Sequence, residues 1–191
     1  MSRPLVLAST SRYRKSLLER LGTPFAVASP DVDETPLAGE GPEALVRRLG
    51  SAKAQAVHSA QPDSVVIGSD QIATFDGQIL GKPGSVARAE AQLAGFSGRD
   101  VAFLTAVSVR SPLGEQTHLD LTRVLFRPLD RAEIARYVAA EKPLNCAGSF
   151  KAEGLGISLF ERIDAHDPTA IIGLPLIWLA AALRREGYRL P

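Results

Sequence analysis

The chain has 191 residues, a formal net charge of +1, 45% hydrophobic and 23% charged residues, and a single cysteine, Cys146. That length and apolar content suffice for a full core in one domain, 1–191, and the near-neutral charge excludes the general basic footprint that nucleic acid or an acidic membrane surface attracts. One cysteine excludes an internal disulfide framework and thiolate clusters, which fits a reducing cytoplasm, and no apolar run reaches the ~20 residues of a membrane span.

In chain order, Leu5 to Ala8 reads as a short buried strand, too brief for the core of a signal peptide. Ser11 is placed to cap a helix whose buried face is Leu17, Leu18 and Leu21, closed by Gly22. Phe25 to Ala28 predicts a second strand, which runs into the acidic loop Asp31-Val32-Asp33-Glu34-Thr35-Pro36. A helix follows from Pro42, with Leu45, Leu49, Ala52 and Ala56 as its apolar stripe and Lys53 at the edge. Ser64 to Gly68 is a continuous apolar run, as expected of a strand buried on both faces, and it ends in Ser69-Asp70-Gln71.

Ala87 to Leu93 is helical in pattern, with Gly95 to Gly98 closing it. Ala102 to Val109 and Leu119 to Phe126 alternate around Ser111-Pro112-Leu113-Gly114 and predict an antiparallel hairpin. Leu129 to Ala140 reads as a helix carrying Ile134, Tyr137 and Val138 inward. Cys146 to Gly156, with three glycines, predicts loop or closely packed backbone, and a last helix runs from Pro175 to Arg184, Arg185 and Gly187. Its longest apolar stretch, Ile171 to Leu183, is interrupted by Gly173 and Pro175. Strand-helix alternation with one antiparallel pair implies an α/β fold with a mixed, twisted central sheet flanked by helices.

The chemistry gathers at the first helix. Arg12, Arg14 and Lys15 lie in its opening turn, where the helix already presents unpaired N–H groups and about half a positive charge. A phosphate would offset that crowding, at the strand-to-helix crevice where open α/β sheets bind ligands; the alternative is a solvated basic face. Asp70, at a buried strand end, needs a cation, a metal or donors around it, unless it is a turn aspartate. Glu34 and its acidic neighbours follow another strand, with a solvated loop as the alternative. Together with Asp70 they could hold Mg²⁺ against a polyphosphate and leave one acid to activate water. Lys53 and Lys82 could add point charges, or be snorkelling and surface lysines. His58, His118 and His166 show no spacing for zinc or a nucleophile triad.

Leu7-Ala8-Ser9-Thr10-Ser11 with Arg14, Asp31 to Pro36, Lys53-Ala54, Ile67-Gly68-Ser69-Asp70, Gly81-Lys82-Pro83 and Cys146-Ala147-Gly148-Ser149-Phe150-Lys151 together resemble the Maf family of nucleoside triphosphate pyrophosphatases. Gln71 and the run Cys146 to Phe160 resemble its branch acting on 7-methylguanosine triphosphate. The resemblance implies a Maf/inosine-triphosphatase-like fold, often dimeric, and cleavage of the α,β-phosphoanhydride to monophosphate and pyrophosphate with Mg²⁺ or Mn²⁺ as cofactor. It implies Asp70 as proton acceptor and Glu34 with Asp70 at the metal. Ser9, Arg14, Lys15, Lys53 and Lys82 then line the polyphosphate, and Tyr13, Gln71 and Glu153 fall at positions that select the base.

Glu153 can accept from guanine N1–H and its exocyclic amine, and the Tyr13 face attracts the cationic 7-methylated base. Arg12 stands where the family usually has proline, Tyr13 where it often has tryptophan, and Lys15 where a second arginine is usual. Two rival readings remain. One keeps the chemistry with dTTP, UTP or canonical purines as substrate; the other is a nucleotide-binding regulator of cell division that does not hydrolyse.

Overall fold

The computed structural model describes residues 3–191, so the first boundary expected for the domain lies outside the described residues. The described residues form seven strands and five α-helices: β1 (Leu5–Ala8), α1 (Arg12–Glu19), β2 (Ala26–Ala28), α2 (Pro42–Ala60), β3 (Val65–Phe75), β4 (Gln78–Leu80), α3 (Val86–Phe96), β5 (Asp100–Ser111), β6 (Gly114–Phe126), α4 (Arg131–Glu141), β7 (Phe160–Asp164) and α5 (Leu176–Arg185). It divides into two compact units, residues 1–71, 105–120 and 167–191 in one, and 72–104 with 121–166 in the other.

In the first unit β1 lies between β2 and β3 and pairs with both in parallel, Leu7 opposite Val27 on one side and Ile67 on the other. Successive side chains on β1 point to opposite faces. Leu5 and Leu7 join Leu17 and Leu18 of α1 and Leu179 and Leu183 of α5 in one buried cluster. Val6 and Ala8 turn to the other face and pack with Ala54 and Val57 of α2. The sheet therefore has an apolar layer on each side, which is why β1 is apolar at every position.

Helix α2 begins with Pro42 at its first turn, as expected, but its buried stripe is Leu45, Val46, Leu49, Gly50, Lys53, Ala54 and Val57, leaving Ala52 and Ala56 half-buried. Lys53 is thus on the buried face and not at its edge. The rotation follows from the approach of the helix to β3. A Cβ on Gly68 would lie 2.4 Å from the Ala54 amide nitrogen and 2.4 Å from the Gly50 carbonyl oxygen. Only small residues fit where the two backbones meet, so Gly50 and Ala54 face the strand.

Strand β3 does not stop after Gly68. It runs on through Asp70 to Phe75, so Asp70 sits within the strand and not at its end. Gln71 closes the first unit, and in the second β3 pairs antiparallel with β4 through the two-residue turn Asp76-Gly77, both at positive φ. That conformation twists with the strands and suits Asp-Gly. The hairpin of β5 and β6 is longer than its alternating segments predict, with Pro112 and Leu113 alone joining the strands.

The second unit holds six of the seven phenylalanines. Phe75 packs edge-on to Phe96 at 5.0 Å, and Phe126 is within 5.5 Å of Phe96, Phe150 and Phe160. Strand β7, which the sequence reading leaves out, completes this layer by pairing antiparallel with β6. Helix α4 buries Ile134, Tyr137 and Val138 as expected and starts with a reciprocal cap between Asp130 and Glu133. Ala147–Ser149 and Leu155–Leu159 are short 3-10 turns, and a Cβ on Gly156 would lie 2.4 Å from the Lys151 carbonyl oxygen.

Candidate active site

In the first unit, burial and charge converge on the middle of β3. Asp70 is 9% exposed and Lys53, reaching from α2, is 7% exposed. The Lys53 Nζ donates to Asp70 Oδ1 at 2.6 Å and lies 2.6 Å from Glu34 Oε1. One ammonium therefore bridges two carboxylates from different elements, the strand and the acidic loop. The Asp70 arm is shielded from water and correspondingly strong, whereas the Glu34 side chain is mostly exposed and its arm is screened.

The loop carrying Glu34 is tied down by α2. Arg48 donates through Nε and Nη2 to the two oxygens of Glu40, at 2.7 and 2.8 Å, and through Nη2 to the Thr35 carbonyl at 3.0 Å. That fork, with the Leu37 amide, holds the Glu40 carboxyl down at about 2. Asp33 turns its carboxylate back onto Thr35, whose side chain and whose amide, 2.9 Å away, lower its pKa.

Arg14 is the member of the cationic triplet that faces this charge. Its Nε donates to the Gly173 carbonyl at 3.0 Å and its Nη1 to Ser9 Oγ at 3.5 Å. Burial lowers its pKa, opposed by the fields of Asp70 and Glu34. Ser9, 5% exposed, also accepts from the Ser11 amide, and Ser11 caps α1 by accepting from the Arg14 amide at 3.4 Å. Residues one apart on a helix point about 100° apart. Accordingly Lys15 turns away: it lies 3.9 Å from Glu19 and lines a shallow hollow with Pro24, Phe25 and Val27. Arg12 folds onto Tyr13, its guanidinium 4.8 Å from the ring centre and its Nη2 donating to the tyrosine hydroxyl at 2.8 Å.

Gln71 spends its amide nitrogen on the protein, donating to Thr105 Oγ1 at 2.9 Å and to the Ala170 and Ile171 carbonyls at 3.0 Å. Lys82 and Glu153 belong to the second unit, both exposed. The Lys82 loop is held by Gly84, whose amide donates to the Leu144 carbonyl, and by Gln92, which donates to the Gly81 carbonyl. Glu153 follows Lys151, which donates to Glu141, while the Leu155 amide donates to the other Glu141 oxygen at 2.8 Å. Both lie near Cys146: burial pushes its thiol up, Glu153 adds to the rise and Lys82 opposes it.

The sequence reading missed Arg48, Glu40 and Glu141, whose carboxylate and guanidinium groups hold the loops of Glu34 and Glu153. The only signal for the first pair was an acid and a base flanking the start of α2.

Two carboxylate oxygens within 2.6 Å of one nitrogen form an all-oxygen pair that suits Mg²⁺ or Mn²⁺, which take one or two carboxylates together with substrate phosphates. Among the described residues no cluster of three or more His, Cys, Asp or Glu could hold an ion by itself.

The comparisons with known proteins agree with this architecture. The chain is 57% identical over 187 residues, 98% of each sequence, to a protein of Xanthomonas oryzae pv. oryzae named 7-methyl-GTP pyrophosphatase. It is 53% identical over 185 residues, 96% of each, to one of the same name from Chromohalobacter salexigens. The solved structure of the Staphylococcus aureus Ham1 protein superposes with a TM-score of 0.53 at 16% identity, covering 96% of this chain and 100% of that one, a likeness of fold alone. The Maf-like protein family matches residues 4–186, and the chain belongs to that family.

Proposed function

We propose that this protein is a nucleoside triphosphate pyrophosphatase that hydrolyses the α,β-phosphoanhydride of 7-methyl-GTP to the monophosphate and pyrophosphate. The observation that carries the reading is the buried Asp70 carboxylate, braced by Lys53 and facing the field of Arg14. A buried carboxylate set against a lysine and an arginine is placed to accept a proton next to an anion site, an arrangement a purely structural strand has no use for. The names of relatives more than half identical over almost the whole chain support the choice of substrate.

In this mechanism Arg14, Ser9 and the start of α1 grip the triphosphate, Lys53 and Lys82 adding charge, with Lys15 as an outer contact. Asp70 accepts a proton from water as its oxygen bonds to the α-phosphorus. The bond from that phosphorus to the bridging oxygen breaks, and the oxygen leaves with pyrophosphate, whose growing charge the cations neutralise. A divalent ion held by Glu34 and Asp70 would supply further charge neutralisation. Lys53 now bridges those two acids, so its ammonium would shift toward the phosphates when the ion is bound. Tyr13, Gln71 and Glu153 select the base; the role of Glu153, like that of Lys82 at the phosphates, rests on the family motif. The reading extends to one functional domain over 1–191, working in the cytoplasm as a homodimer, with no nucleic-acid or membrane partner.

Product analysis with 7-methyl-GTP, GTP, UTP and dTTP, with and without Mg²⁺, tests it. Pyrophosphate release fastest from 7-methyl-GTP is expected. Tight binding with no release would instead make the chain a nucleotide-binding regulator. A second reading, with GTP as good a substrate, is favoured by Arg12, which already covers the Tyr13 face that a cationic base would use.

A further inference from the structure

Between β7 and α5 lies a compact knot that nothing in the proposed chemistry uses. Asp167 is 1% exposed, and its two oxygens accept from three donors: the Thr169 amide at 2.8 Å, the Thr169 hydroxyl at 2.6 Å and the Ile177 amide at 2.6 Å. The last is an unpaired N–H of the α5 start, so Asp167 caps that helix from eight residues before its N-cap position. The Thr169 hydroxyl accepts from the Leu176 amide at 2.9 Å, and its one proton can go to Asp167 or to the Leu174 carbonyl, 2.9 Å away.

These bonds close around Gly173. Its amide donates to the Ala170 carbonyl at 2.8 Å, and on its other side the Leu174 carbonyl lies 2.9 Å from the Thr169 hydroxyl, which the Leu176 amide holds in place. With both flanks fixed and φ at 120°, the Gly173 carbonyl has one direction, and two groups use it: Arg14 Nε at 3.0 Å and Ser69 Oγ at 2.9 Å. A side chain at 173 would press on the same arginine, since a Cβ there would lie 3.3 Å from Nε. We propose that Asp167 and Thr169 are positioning residues that aim the Arg14 guanidinium, through the Gly173 carbonyl, at the polyphosphate. The inference rests on the pyrophosphatase reading for what Arg14 grips, but not for how Arg14 is held.

A guanidinium placed in advance loses little freedom when the anion arrives, whereas a loose one must be ordered during binding. The knot therefore acts on substrate affinity and not on the proton transfer at Asp70.

The test has two arms. In the protein without nucleotide, the Arg14 Nε–H should give a slowly exchanging ¹⁵N resonance, assigned by its absence in Arg14→Lys. Thr169→Val should speed that exchange by roughly tenfold or more, the factor equivalent to one lost hydrogen bond to a charged group, and Thr169→Ser should restore it. Thr169→Ala takes the place of the valine variant if that one is recovered unfolded. Unchanged protection in a folded variant overturns the proposal.

In the second arm, Thr169→Val should raise KM for the best nucleotide by roughly tenfold with a smaller change in kcat, and should add nothing further in an Arg14→Ala background. Loss that adds fully to Arg14→Ala, or a fall in kcat alone, assigns the knot to fold stability and sinks the proposal. If the wild type releases pyrophosphate from no nucleotide, the functional reading fails, and the exchange measurement still decides whether the knot aims Arg14.

Discussion

At the scale of single residues, Asp70 and Arg12 give the sharpest expectations. Asp70→Asn keeps the shape of the side chain and loses the proton acceptor. Turnover should fall by about 10²- to 10⁴-fold, the usual worth of a general base, while KM stays within a few-fold. Pyrophosphate release within tenfold of wild type would remove Asp70 from that role. Arg12 and Tyr13 make a different kind of pair. Because the guanidinium already lies over the ring, a cationic base must displace it before stacking. Arg12→Ala should therefore lower KM for 7-methyl-GTP by about two- to fivefold, in line with the ~0.5 to 1 kcal/mol of an exposed cation–π contact, and leave GTP unchanged. Equal shifts on both nucleotides would discard stacking on Tyr13. Sequence made Arg14 and Asp70 visible through charge at unusual positions. It could not reveal that Arg14, Ser69 and Gly173 share one carbonyl, because that contact joins segments more than a hundred residues apart.

At the scale of elements, the meeting of α2 and β3 sets where Lys53 points. Gly68→Ala would drive a methyl to 2.4 Å from two backbone atoms, with no flexible side chain to give way. The helix must lift from the strand, so Lys53 should lose its register with Asp70, and a loss of at least about 3 kcal/mol is expected from overpacking at backbone contact. Urea denaturation reads the stability, and a midpoint near that of wild type would contradict the close approach. The sequence marked the start of α2 correctly but rotated its stripe, since the pattern of Ala52 and Ala56 looks apolar while Gly50, which faces β3, counts for little in a hydrophobic pattern. Strand β3 was cut short because Ser69, Asp70 and Gln71 look like turn residues; Ile72 to Phe75 and the Asp76-Gly77 turn are what extend it.

The loop before α2 carries a pH signature of its own. The Glu40 carboxyl, bound by the Arg48 fork, titrates at about 2 in the folded chain against an ordinary value of 4.5. A depressed acid contributes stability that is fully present above its unfolded value and fades as pH falls through the folded one. Glu40→Gln should therefore lower the urea midpoint at pH 7, and the difference from wild type should shrink from about pH 4.5 and vanish near pH 2. A pH-independent difference would mean that Glu40 acts through packing and not through its charge.

At the scale of the whole molecule, the mixed character of the sheet flanked by helices was legible, because its strands from β1 to β6 mostly carry their own apolar patterns. Unit boundaries left no such mark. Strand β7, Phe160–Asp164, has three charged residues in five and was invisible until β6 stood beside it. The phenylalanine layer is likewise spread from Phe75 to Phe160 along the chain. Yet β3, β5 and β6 each begin in one unit and end in the other, at Gln71, Leu104 and Asp120. A strand cannot melt in one half without exposing ladder groups and fraying the same strand in the next residues. Compact units built on three shared strands should therefore unfold together. Calorimetry should give one transition with a van't Hoff enthalpy equal to the calorimetric one, about 130 kcal/mol near 60 °C for a chain of this length. Two resolved transitions, or a van't Hoff enthalpy near half the measured heat, would show that the units fold separately despite the strands they share.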